Sequence, residues 1–125
     1  MAEHNVCDFF KGIIDTEEGP IVMCNLDYRV IYENPAAMRY YAPVTPITGK
    51  LLETLMDEEM MSKVRMSVEW FKEDKKNSRV FAFHDKTNNM DLYILAIRDI
   101  DGNLMGFYGR REDRNPDPGK EFDLD

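Results

Sequence analysis

Apolar residues along this chain recur at helical spacing, then at strand spacing, then in longer helical stripes, and finally in three strand-like runs. Val6, Phe9, Phe10, Ile13 and Ile14 fall at i, i+3, i+4, i+7 and i+8, the single stripe of an amphipathic helix over about 5–15. Asn5 is its expected N-cap, with Asp8 near the positive end of the dipole. Gly19-Pro20 closes the segment. Two short strands are expected at about 20–26 and 29–33, joined by a polar turn around Asp27. Asn34 then caps a helix that opens at Pro35, where a missing N–H costs nothing, and that Pro43 and Pro46 stop. Gly49-Lys50 introduces a short helical piece with Leu51, Leu52, Leu55 and Met56 on one side. A longer helix, about 58–75 with Asp57 as cap, carries Met60, Met61, Val64, Val68 and Phe71 as its stripe. Three strands follow at about 79–85, 90–99 and 103–111, with turns at Thr87-Asn88-Asn89 and Asp101-Gly102.

This order predicts an α+β fold: a five-stranded antiparallel sheet with helices on one face and an N-terminal flanking helix. In Leu92-Tyr93-Ile94-Leu95-Ala96-Ile97 both parities are apolar. An antiparallel strand with one wet face alternates, so this strand is expected to be covered on both sides. The central helices cover one. The N-terminal helix, a second copy of the chain, or both must cover the other. The expected outer contact therefore joins Val6, Phe9, Phe10, Ile13 and Ile14 to Ile21, Met23, Tyr93, Leu95 and Ile97, and a homodimer is the partner it implies.

At 125 residues the chain has the length of one domain, and its 43% hydrophobic and 32% charged content is that of an ordinary globule. No apolar run approaches the roughly 20 residues of a membrane span, and the start of the chain lacks the pattern of a signal peptide, so a cytoplasmic protein is expected. The net charge of −8 argues against nucleic acid, which needs a basic face. Half of that charge lies beyond residue 111, in a segment containing Asn115-Pro116-Asp117-Pro118-Gly119. The division expected is a flanking helix over 1–18, a domain over 19–113 and an acidic, disordered tail over 114–125. Cys7 and Cys24 are too few for a disulfide framework, and no Cys/His or carboxylate cluster has metal-ligand spacing.

Asn25-Leu26-Asp27-Tyr28-Arg29-Val30-Ile31-Tyr32-Glu33-Asn34-Pro35-Ala36-Ala37, Gly49-Lys50-Leu51-Leu52 and Arg98-Asp99-Ile100-Asp101-Gly102-Asn103-Leu104-Met105-Gly106 stand in this order and spacing. Together they resemble a PAS domain, a small sensory and interaction module, along residues 19–113. Three features depart from the family pattern. Tyr28 stands where many members have Gly, Asn25 replaces a frequent Asp, and the Asp-Ile-Thr that commonly follows the last strand is missing.

The resemblance implies a ligand space between the long helix and the concave sheet face. Val22, Cys24, Phe107 and Arg111 would face it from the first and last strands, and Met38, Tyr41, Met60, Met61 and Val64 from the helices. A two-residue loop before residue 90 would pair Phe81 and Phe83 with Leu92, Ile94 or Ala96 and turn them inward; a three-residue loop would bring in His84 instead. Phe and Met side chains there can form a plain filled core or the wall of an adaptable pocket. Arg111 can hold a ligand carboxylate or pair with Glu112, Asp113 or solvent.

Haem and flavin are disfavoured. Residues 58–76 contain no His, and the Asn-Cys-Arg-Phe motif of the flavin photosensor branch is missing. No nucleophile–base pair can be placed, since His84 and Asp85 point to opposite faces of a strand. The reading is a non-catalytic sensory module that binds a small apolar or carboxylate-bearing ligand, forms a homodimer, or both, and signals to a downstream protein. Its alternative is a protein–protein interaction module with a filled core.

Overall fold

Asparagine and aspartate caps fix where the helices begin in the computed structural model, which describes residues 3–123. Residues 1, 2, 124 and 125, at the ends of the expected flanking segment and tail, lie outside the described residues. Asn5 and Asp8 form a reciprocal capping box on α1 (Val6–Thr16). Asn34 caps α2 (Pro35–Tyr40) through Ala37 N, and Asp57 caps α3 (Glu58–Glu73) through Met60 N. The strands are β1 (Ile21–Asn25), β2 (Val30–Glu33), β3 (Arg79–Asp85), β4 (Met90–Arg98) and β5 (Leu104–Asp113). They form one antiparallel sheet in the order β2-β1-β5-β4-β3, so the first and last strands meet at its centre.

The first hairpin shows how the chain tolerates its departures. Asn25 Oδ1 accepts hydrogen bonds from Asp27 N at 3.0 Å and Arg29 N at 3.1 Å, the work an Asp would do. Tyr28 sits at φ 64°, in the left-handed region, a cost of about 1–2 kcal/mol for a side-chain-bearing residue. Its ring packs 5.7 Å from that of Phe107, which offsets part of that cost.

The core lies between α3 and the inner sheet face. Met61, Val64, Val68 and Phe71 meet Val22, Cys24, Ile94 and Phe107, all buried. Arg98 closes the far end: one Nη donates to Phe71 O at 2.7 Å and Asn77 O at 2.9 Å, at the negative end of α3.

Two expectations are corrected and one left open is narrowed. The β3–β4 connection spans residues 86–89, not two or three residues. Near the turn it keeps the register that pairs Phe83 with Leu92, but a bulge at Ala82 then sets Phe81 opposite Tyr93. Phe81 therefore points outward and is 54% exposed, its ring 5.4 Å from that of Tyr93. In α2, the cap geometry turns Ala36 and Ala37 into the core and leaves Met38 exposed. Lastly, α1 does not cover the outer sheet face within the chain. None of its residues is buried, and Val6, Phe9, Phe10 and Ile13 are each more than half exposed.

Among the described residues, α1 is tied down through its C-terminal half, where Lys11 also lies 5.4 Å from the Tyr32 ring centre. Asn34 Nδ2 donates to Ile14 O at 2.9 Å and Gly19 O at 3.2 Å, and Tyr32 donates to Asp15. On the outer face Ile21 is buried, while Met23, Tyr93, Leu95 and Ile97 are half-buried. Part of the cover there comes from the sheet itself: the guanidinium of Arg79 lies 4.0 Å over the Tyr93 ring, and that of Arg110 at 5.6 Å. Residues 114–123 carry no helix or strand.

Candidate functional site

Below the N-terminal half of α3 the core is not filled. A cavity of about 380 Å³ separates the helix from the concave sheet face, within the size range of small-molecule sites. Its floor is Val22, Leu92, Ile94 and Gly109, consecutive across β1, β5 and β4 through the pairings Val22–Gly109 and Ile94–Gly109. Gly109 leaves this floor low: a Cβ there would meet only the Leu92 side chain, at an ordinary 3.7 Å. Met60, Lys63 and Val64 of α3 form one wall, with Phe83 beside them.

Residues 44–56 form the other wall through Val44, Ile47, Leu52, Leu55 and Met56. Glu33, on β2 and 1% exposed, holds that segment in place. Its carboxylate accepts from Ile47 N at 2.9 Å, Thr45 Oγ1 at 3.0 Å, Thr48 Oγ1 at 3.3 Å and Thr48 N at 3.4 Å. A buried carboxyl group needs such a set of hydrogen-bond donors, so Glu33 and the 45–48 segment specify each other.

Of the residues expected to face the ligand space, Val22, Tyr41, Met60, Val64, Phe83, Leu92, Ile94 and Arg111 line the cavity. Cys24, Met61 and Phe107 lie in the packed core instead, and Met38 and Phe81 point away from it. The wall from Val44 to Met56, Lys63, Gly109 and the Glu33 pin were not foreseen. The apolar side of Leu52, Leu55 and Met56 was visible as a stripe, but nothing local said which space it would face.

Two cations reach the cavity and differ in their partners. Lys63 Nζ donates to Ala82 O at 3.0 Å and lies 5.6 Å from the Phe83 ring centre. The Arg111 guanidinium lies 4.7 Å from the ring centre of Tyr40 and 6.0 Å from that of Tyr41, and its Nε donates to Tyr41 Oη at 3.3 Å. Burial raises the Tyr40 hydroxyl above its ordinary pKa, with Arg111 opposing that rise. Arg111 has no carboxylate partner among the described residues: Glu112 faces Arg110 at 3.7 Å, and Asp113 accepts from Asn115 N at 2.8 Å.

The cavity wall carries no His or Cys among the described residues, so it offers no such axial ligand for haem. His84 lies on the other sheet face, its Nδ1 2.8 Å from Asp91 Oδ1, and Arg114 Nε donates to Asp91 Oδ2 at 2.7 Å. Burial pushes the Cys24 thiol up to about 12, which makes it a small inert core group. No group of three or more potential metal ligands occurs among the described residues. Nor is any described helix long and apolar enough to cross a membrane.

A second hollow, of about 750 Å³ and more polar, lies between residues 16–19 and 110–118. It is walled in equal part by connecting segments and by strand and helix ends, with β5 from Arg110 to Asp113 along one side.

No protein-family model and no curated protein matches the sequence. Solved structures do match the fold. A PAS domain from Colwellia psychrerythraea superposes with a TM-score of 0.65 at 14% identity, covering 87% of this chain and 97% of that one. A sensory box sensor histidine kinase from Vibrio cholerae gives 0.59 at 14% identity, covering 86% and 91%. The PAS domain of a Bordetella pertussis protein gives 0.54 at 18% identity, covering 90% and 88%. The chain has the PAS-type fold, as an α+β domain with a five-stranded antiparallel sheet.

Proposed function

We propose that this chain is a non-catalytic sensory module that responds to a small molecule held between α3 and the sheet. The observation that carries this is the cavity of about 380 Å³, with an apolar floor and mostly apolar side walls. A chain that used this fold only as a filled core would gain by closing the space, since unfilled apolar volume costs stability. Its solved neighbours support the sensory half of the reading, as PAS and sensory-box domains of signalling proteins. A cytoplasmic setting, a downstream protein partner, and no role for nucleic acid or membrane complete it.

Native mass spectrometry of gently purified protein tests it. A co-purifying small mass, lost in Gly109→Val, is the expected result. A ligand-free species in both, with Gly109→Val more stable than the parent, would favour the interaction module with a spare core.

A second reading concerns association and rests on a different observation. Val6, Phe9, Phe10 and Ile13 form a bare apolar stripe, which a second copy would cover together with Met23, Leu95 and Ile97 of the outer face. Light scattering is expected to give a dimer that Phe10→Glu with Ile13→Glu converts to a monomer. A monomer in the parent chain at high concentration ends the dimer reading and leaves the cavity reading untouched.

A further inference from the structure

Resting on the cavity reading above, we infer that the ligand is a monocarboxylate with an apolar body, its carboxylate gripped by Arg111. Arg111 is partly buried at one end of an apolar cavity, where an unpaired guanidinium costs solvation. Tyr40 and Tyr41 hold its plane by ring contacts, and Tyr41 takes Nε. Both Nη atoms are left without an acceptor among the described residues. The acids close to it in sequence are spent elsewhere, Glu112 on Arg110 and Asp113 on Asn115. Asp85, whose carboxylate is 3.4 Å from Tyr40 Oη, accepts from Thr87 and Asn88. A guanidinium placed against the Tyr40 ring and bonded through Nε to Tyr41, with its Nη fork open, can make the two parallel hydrogen bonds of a carboxylate.

The rest of the wall decides the remainder of the ligand. Leu92, Ile94 and Val64 offer no hydrogen bond, so the body is apolar. A second carboxylate is disfavoured: Asp57 and Glu59 line the cavity and would repel it, two carboxylates against the single charge of Lys63.

Isothermal titration of the whole chain with octanoate, octanol and octanedioate tests this. Octanoate is expected to bind about tenfold or more tightly than octanol, as loss of a charge-assisted pair requires, and more tightly than octanedioate. Arg111→Gln should abolish the preference for octanoate over octanol at an unchanged urea midpoint. Arg111→Lys, which keeps the charge without the fork, should restore part of it and serves if the Gln variant does not fold. Gly109→Val should remove binding of both.

Equal binding of octanoate and octanol, both lost in Gly109→Val, overturns the carboxylate inference and leaves the cavity reading standing. So does an undiminished preference in Arg111→Gln. Tighter binding of octanedioate than octanoate overturns the single-acid assignment. Failure of all three probes, together with the absence of any co-purifying mass, overturns both.

Discussion

α1 and α3 are both amphipathic helices with clean apolar stripes, yet they end in opposite circumstances. α3 buries Met61, Val64, Val68 and Phe71 against the inner sheet face, where Phe71 and Val68 are completely inaccessible. α1 buries no residue, and its Phe9 and Phe10 are 64% and 58% exposed. The sheet faces differ in the same way. The inner face is mostly apolar, interrupted by groups such as Glu33, Arg98 and Arg111; the outer face is stitched by charge, with Arg79 over Tyr93 and Asp91 between His84 and Arg114. Periodicity specifies a helix and the direction of its stripe; what covers the stripe is decided by which surfaces the chain brings opposite it.

The largest test of that contrast compares Phe71→Ala with Phe10→Ala. Emptying the Phe71 site is expected to cost about 3–5 kcal/mol, whereas Phe10→Ala in dilute monomer should stay within about 0.5 kcal/mol. Urea unfolding measures both. A large Phe10 effect that grows with protein concentration would mean that a second copy covers α1.

Next in size is Asn34→Ala, because Asn34 joins the two regions. It caps α2, accepts from Ile21 N at 2.9 Å and donates to the end of α1. Losing the cap and orphaning a buried N–H should cost about 2–3 kcal/mol. Hydrogen exchange should quicken first in the last turn of α1, with α3 protected as before. Uniform loss of protection would show that α1 and the core open as one unit.

A smaller effect distinguishes the charged outer face from the apolar inner one. Asp91 is held below the ordinary carboxylate range, first by the Arg114 hydrogen bond and then by His84, against the cost of burial. Its folded form binds fewer protons than the unfolded chain does. The stabilisation is therefore complete above the ordinary carboxylate range and is lost as pH falls through the lowered value. Asp91→Asn should flatten the acid limb of a pH series of urea midpoints. It should not abolish that limb, since Asp15, Asp85 and Asp99 are lowered too. An unchanged acid limb would remove Asp91 from the account.

The smallest perturbation uses the two thiols as reporters. Cys7 is exposed on α1 and Cys24 is buried under α3. A thiol reagent at mild pH should modify one cysteine quickly and the second only at the rate of opening, with Cys7→Ser removing the fast phase. Two fast phases would show that the β1 region is open in solution.

The order of elements, three of the helix caps and the five strands were legible in the sequence, because each rests on contacts within a few residues. Asn5, Asn34 and Asp57 need only their own following turn. Eight cavity residues were legible as well, through the resemblance and strand parity. Phe81 was not, because one extra residue at Ala82 reverses every side chain beyond it. Glu33 was not, because its four donors lie 12–15 positions away and mean nothing until β2 and residues 45–48 are adjacent.

Local spacing and chemistry thus determined the helices, their stripes and the succession of strands along the chain, and the resemblance implied the inward facing of Val22 and Arg111. Tertiary structure alone decided where the space was left. The cavity has its shape because Gly109 falls between Val22 and Ile94 across three strands and because Glu33 pins Ile47 in the opposite wall. Arg111 has no carboxylate partner among the described residues, where Glu112 faces Arg110 and Asp113 accepts from Asn115. These are outcomes of packing between segments far apart in the chain, and no window of sequence contains both sides of them.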